Sequence, residues 1–180
     1  MNILETAPIS TVRRNHGIEH ATVHVLTAHD PSTRLVGRAD TEGFNIYGDI
    51  PTDALVSAAR EALGRLQNGE GALAVHPRCG TNLLVAGLMT ALAAALALGR
   101  KPSLKKLPDV ILATTIAAFV AQPIGMSVQK HVTTSPDAAG ARIARVRQSQ
   151  MGQVRVQHVD IEWDRGADNR AQITELGNLI

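Results

Sequence analysis

Two stretches without a charged side chain constrain this chain more than any other feature. Cys79 to Gly99 and Val110 to Gln129 contain no Asp, Glu, Lys or Arg, while charged residues crowd into the remainder. A bilayer's hydrocarbon core is about 30 Å thick and takes roughly 20 apolar helical residues to cross. Both stretches reach that length. Only Arg100 to Asp109 separates them, and the connection Arg100 to Pro108 carries Arg100, Lys101, Lys105 and Lys106. The pattern predicts a transmembrane helical hairpin over residues 81–129. Pro123 and Gly125 fall within the second span, where neighbouring backbone can accommodate them. The alanine-rich run Leu92 to Leu98 weakens the first span. The competing reading is a helical hairpin buried in a soluble protein, which runs of this length disfavour. Phe44, Tyr47, Phe119 and Trp163 are the only aromatic residues, so no interfacial aromatic belt is expected.

The flanks read as soluble. Ser10 is placed to cap a helix running to about Ala28, and Asp30-Pro31-Ser32 signals the turn after it. Arg34 to Asp49 reads as two short strands around Thr41-Glu42-Gly43. Thr52 is placed to cap a second helix whose apolar face is Leu55, Ala59, Ala62, Leu63 and Leu66, with Gly69 at its C-terminal end. Beyond Thr133-Thr134-Ser135-Pro136 the chain turns polar, and Gln153 to Trp163 alternates like a strand. Its apolar face switches between Val156 and Val159, which predicts a bulge near His158. The expected class is α+β: a small soluble helix/strand unit on a two-helix transmembrane hairpin. Residues 1–80 form the soluble part with the histidine-bearing helix, 81–129 the hairpin, and 130–180 a polar part packing back on the first.

A net charge of +2 without a basic, aromatic-studded stripe argues against nucleic-acid binding. The expected partner is membrane lipid; self-association is left open. Met1 to Ser10 lacks the pattern of a signal peptide. A single cysteine excludes an internal disulfide framework and suits a reducing compartment. These two points outweigh the basic connection. They predict a multi-pass plasma-membrane protein with its soluble part on the cytoplasmic side.

The residues with chemistry lie at two places. In Asn15-His16-Gly17-Ile18-Glu19-His20, a helix puts His16 and His20 one turn apart on one face, with Glu19 beside them. Two imidazoles at this spacing can reach one zinc ion at about 2.0–2.1 Å. Glu19 is then placed to act as general base, as in the H-x-x-E-H arrangement of inverted zinc peptidases. The second place is His76-Pro77-Arg78-Cys79-Gly80-Thr81-Asn82, just before the first apolar span. Imidazole and thiolate are both good zinc ligands, so His16, His20, His76 and Cys79 form a candidate tetrahedral set. Asn15, His24, Thr81 and Asn82 are candidates for supporting the ligands or contacting substrate. The bland alternatives are surface histidines and a small buried thiol.

These paired motifs resemble a bacterial family of uncharacterised membrane proteins described as predicted metal-dependent enzymes. That family reads His-Gly-Ala-Glu-His and then His-Pro-Arg-Cys-Gly-Thr, matched here by His16, Gly17, Glu19 and His20 and by His76 to Thr81. The chain resembles more closely a shorter family of unknown function. That family joins Asn-His-x-x-Glu-His-Ala-Thr, Gly-Phe-x-x-Tyr-Gly and Cys-Gly-Thr-Asn segments, which stand here at Asn15 to Thr22, Gly43 to Gly48 and Cys79 to Asn82. The resemblance covers about residues 12–135. It implies a membrane protein with a metal site and supplies no reaction. The chain departs from the larger family in lacking its long N-terminal region and in having Ala21 where lysine stands there.

Two functional classes follow. One is a membrane-bound metal-dependent hydrolase of peptidase type, using zinc or another divalent transition metal. The other is a non-catalytic adaptor or assembly protein with a structural metal or none. Four protein ligands favour the structural role, and three ligands with an open position favour catalysis.

Overall fold

In the computed structural model, which describes residues 3–100 and 102–164, the chain forms two compact units. One is built from the chain up to Ala74 and from Thr134 onward, and the other from Val75–Thr133.

The first unit places two helices on one four-stranded antiparallel sheet. Helix α1 spans Ile9–His29 and α2 spans Thr52–Gln67. The sheet order is β1-β2-β4-β3, with β1 at Val36–Ala39, β2 at Gly43–Tyr47, β3 at Ala141–Met151 and β4 at Val154–Trp163. The β1–β2 hairpin is the one the sequence predicts. Its tight turn is held by the Asp40 carboxylate, which accepts the N–H groups of Glu42 and Gly43. Phe44, Ile46, Val159 and Ile161 face inward and meet Ile18 and Val25 of α1 and Leu55 and Ala59 of α2. The expected α2 face is buried throughout, and Gly69, at φ +93°, ends the helix by giving its N–H to the Leu66 carbonyl.

Three local expectations need correction. α1 begins at Ile9 with Pro8 at the capping position, so Ser10 lies inside the helix and does not cap it. Pro51 precedes α2, and the Thr52 hydroxyl donates to Gln157 Oε1 at 2.7 Å, which removes it from a capping role. There is no slip at His158: β2 and β4 pair without interruption from Gly43↔Asp160 to Tyr47↔Val156. The apolar pattern switches because a polar residue, Gln157, takes an inward position. It is fully buried, with its amide satisfied by Thr52 and the Ile50 carbonyl. The irregularity lies on β3 instead, between Ile143 and Arg145.

The second unit is a pair of apolar helices, α3 (Gly80–Leu98) and α4 (Leu107–Val128), followed by a π-helical turn at Gln129–Thr133. The buried residues of α4 are Ala117, Ala121 and Gly125, spaced one turn apart. Small residues at this spacing let the backbones approach closely. Lys106 Nζ donates to the Leu98 carbonyl at 2.6 Å and satisfies one orphan acceptor at the end of α3. Large apolar side chains point outward from the pair: Leu84 is 74% exposed, Leu88 70% and Phe119 78%. Both helices are long and apolar enough to cross a membrane. Lys101 lies outside the described residues.

Candidate metal centre

The α1 half of the candidate site is assembled within the first unit. His16 and His20 lie one turn apart, and their ring centroids are 4.3 Å apart. His20 is 3% exposed and its Nδ1 lies 2.8 Å from the Ala74 carbonyl. A carbonyl only accepts, so Nδ1 carries the proton in this contact. Ligating histidines use this arrangement, with the second ring nitrogen tied to an acceptor.

Glu19 sits beside the pair, with its Oε2 3.7 Å from His16 Nε2. Burial pushes its carboxyl up to about 7, against the lowering effect of His16. Two glycines make room for this arrangement. A Cβ at Gly37 of β1 would overlap the Glu19 carboxylate, and one at Gly17 would strike the Ser135 carbonyl. Gly17 therefore lets α1 lie against the segment after Thr134, despite its modest cost in a helix.

Asn15 is fully buried. Its amide donates to the Asp40 carbonyl at 2.8 Å, and its Oδ1 accepts from Trp163 Nε1 at 3.2 Å. This anchors α1 to the sheet in register with the histidines. His24 lies half-buried, one turn beyond His20.

The second half gathers at the start of α3, within the second unit. Cys79 occupies the N-cap position and its Sγ accepts the Thr81 N–H at 3.4 Å. His76 opens the turn before it: the Cys79 N–H bonds to the His76 carbonyl, and the Arg78 N–H donates to His76 Nδ1 at 3.1 Å. Asn82 Nδ2 donates to the Pro77 carbonyl at 2.8 Å. Thr81 Oγ1 lies 3.3 Å from Thr133 Oγ1.

Sequence reasoning passed over Gln129, which is fully buried. Its Oε1 accepts the His76 N–H at 3.0 Å and its Nε2 donates to Asn82 Oδ1 at 2.6 Å. A Cβ at Gly125 would overlap that Asn82 oxygen, so glycine is needed there. The available signal was an amide closing the second apolar stretch, where a polar side chain needs a partner.

A separate cluster lies on the sheet. His158 Nδ1 is 2.7 Å from Asp160 Oδ1, and its Nε2 is 3.2 Å from Asp40 Oδ2. Glu42, His158 and Asp160 bring ligand-type atoms within 4.8 Å of one another. Arg145 and Arg147 already bond Asp160, and Arg147 also holds Glu42, so guanidinium groups neutralise this cluster. Burial pulls the Asp160 carboxyl upward, but Arg145, Arg147 and His158 outweigh it and hold it below its ordinary value. Asp40 is likewise lowered: burial opposes, and the Glu42 N–H and His158 prevail.

Fold and geometry together define the class: an α+β unit with a His-x-x-Glu-His helix, joined to a unit of two apolar helices. The chain belongs to the family described as a domain of unknown function, DUF6391, whose model matches residues 11–146. An uncharacterised protein of Picosynechococcus sp. (strain ATCC 27264 / PCC 7002 / PR-6) is 36% identical over 135 residues, covering 69% of this chain. The match spans 66% of that relative's length. No solved structure matches the chain.

Proposed function

We propose that this chain is an integral membrane protein in which His16, His20 and Cys79 hold one divalent transition metal ion, zinc by donor type, for a hydrolytic reaction. The observation that carries the reading is the His20 ring: its Nδ1 is held by the Ala74 carbonyl, and the ring stacks edge-on against His16 one turn away. An N/N/S donor set suits zinc, and three protein ligands leave a position open for chemistry. Chain connectivity supports pairing the two motifs, because Cys79 follows the Ala74 that orients His20 by only five residues.

When bound, the ion supplies a Lewis acid that activates water near neutral pH. Glu19 is the group to take the proton from that water, since it is buried beside His16 and Gly37 leaves its carboxylate room. Asn15 fixes the helix that presents both histidines. Gln129 and Asn82 fix the turn that presents Cys79.

The two apolar helices anchor the chain in the plasma membrane, with lipid against their exposed leucines. We place the metal-binding unit on the cytoplasmic side. Metal analysis of the protein purified in detergent tests the reading. Wild type should retain about one zinc per chain, and His16→Ala and Cys79→Ala should each lose it, as expected for removal of a ligand. Equal metal content in all three proteins would refute it.

A further inference from the structure

Resting on the membrane reading alone, we infer that the turn of the α3–α4 hairpin is a binding site for an anionic phospholipid, whose phosphate is held by Arg100 and Lys105. α3 has 19 residues and α4 has 22. At 1.5 Å per residue they rise about 29 and 33 Å, close to the roughly 30 Å of a bilayer's hydrocarbon core. The turn that joins them therefore stands at the depth of the lipid headgroups, in either leaflet. Its charge is one-sided. Arg100 to Pro108 holds four cations and no carboxylate, and the next acidic residue is Asp109 in the first turn of α4. Basic clusters beside membrane helices are the mark of anionic-lipid recognition.

The cations of the turn are not equivalent. Lys106 Nζ is committed to the Leu98 carbonyl, which closes the hairpin. Arg100 and Lys105 are exposed. The single 3₁₀ turn Leu104–Lys106 sets the backbone at Lys105, and the Ser103 hydroxyl accepts the Lys105 N–H at 3.3 Å. Arginine can fork onto a phosphate, and lysine adds a point charge. Leu104, beside Lys105, is 89% exposed, and Leu107 is also exposed. Cations next to open apolar side chains match a ligand that carries acyl chains as well as a phosphate, and a free phosphate offers nothing to the leucines.

The test uses the full chain in detergent, titrated with phosphatidylglycerol or phosphatidylcholine and followed by native mass spectrometry. Wild type should bind phosphatidylglycerol more tightly than phosphatidylcholine, and the preference should fall as salt is raised. Arg100→Gln and Lys105→Gln should each weaken phosphatidylglycerol about fivefold, and the double variant about thirtyfold, with phosphatidylcholine unchanged. Both side chains are exposed, so neither change removes packing. Lys130→Gln, which removes an exposed cation in the turn after α4, is the control and should leave the preference intact. Equal affinity in wild type and the double variant would overturn the inference, as would a loss carried by Lys130→Gln instead. Inorganic phosphate should not displace the lipid; full displacement at matched concentration would mean that the site reads phosphate alone, and the lipid assignment would fall. The membrane reading fails differently, through a chain that stays monodisperse without detergent. A chain that enters bilayers but shows no lipid preference sinks the inference alone.

Discussion

Leu88→Arg separates a membrane helix from a surface helix by a wide margin. Leu88 stands near the middle of α3 and is 70% exposed. In water, a change at so open a position costs within about 0.5 kcal/mol, because no packing is lost. In a bilayer, the same change replaces a leucine worth about −0.5 kcal/mol with an arginine costing about +2.5 to +3.5 at the helix centre. The difference, about 3–4 kcal/mol, is more than two powers of ten in the insertion equilibrium. α3 is alanine-rich and has little hydrophobicity to spare. Leu96→Arg is the internal control: Leu96 is 73% exposed but two residues from the helix end, where arginine can reach the headgroups. Carbonate extraction of membranes expressing each variant reads the outcome. Wild type and Leu96→Arg should stay in the pellet, and Leu88→Arg should be largely extracted or degraded. Equal retention of both arginine variants, or a monodisperse soluble protein without detergent, would refute the membrane assignment.

Four further outcomes are expected. Glu19→Gln should keep the metal and lower activity by about 10²- to 10⁴-fold, the range for a general base; an active variant would exclude that role. Gly37→Ala should displace the Glu19 carboxylate and destabilise the fold by about 1–3 kcal/mol, as overpacking does; an unchanged denaturation midpoint would contradict the placement of Glu19. Gln129→Leu should strip partners from the His76 N–H and from Asn82, weakening metal binding by about 10- to 100-fold in a competition assay; unchanged affinity would mean that the turn holds without it. The last outcome concerns acid. The carboxyls of Asp40 and Asp160 are lowered in the fold, so their contribution is present above the unfolded carboxylate value of about 3.9 and is lost as pH falls through the lower folded values. Thermal stability should therefore drop in that acid range. Asp160→Asn should flatten the drop, and an identical pH profile would deny the network a role.

Features written in local spacing were legible in the sequence. The histidine pair follows from the helical period, the β1–β2 hairpin from aromatic and β-branched residues around a glycine turn, and the two long apolar helices from missing charge. β3 was not legible. Arg142, Arg145 and Arg147 fall out of strict alternation because the irregularity between Ile143 and Arg145 breaks the period of two. As an edge strand, β3 also keeps a polar face. The two misassigned caps share a cause: Ser10 and Thr52 suit helix starts, but Pro8 and Pro51 occupy the capping positions. The supports of the candidate site were hidden for a different reason. Gly37, Gly125 and Gln129 matter through side chains that reach them from distant parts of the chain, and no local pattern marks that. His158 pairs with Asp160 two residues along β4 and with Asp40 from the β1–β2 turn, and no local spacing marks the second partner.

The central claim is that the α1 histidines and the Cys79 turn close on one ion, and X-ray absorption at the zinc edge tests it most directly. For the protein loaded with one zinc, the account predicts one sulfur at about 2.3 Å together with nitrogen ligands at about 2.0–2.1 Å. The sulfur shell should disappear in Cys79→Ser, and imidazole scattering should fall in His20→Asn. A shell of nitrogen and oxygen alone, unchanged by Cys79→Ser, would contradict it.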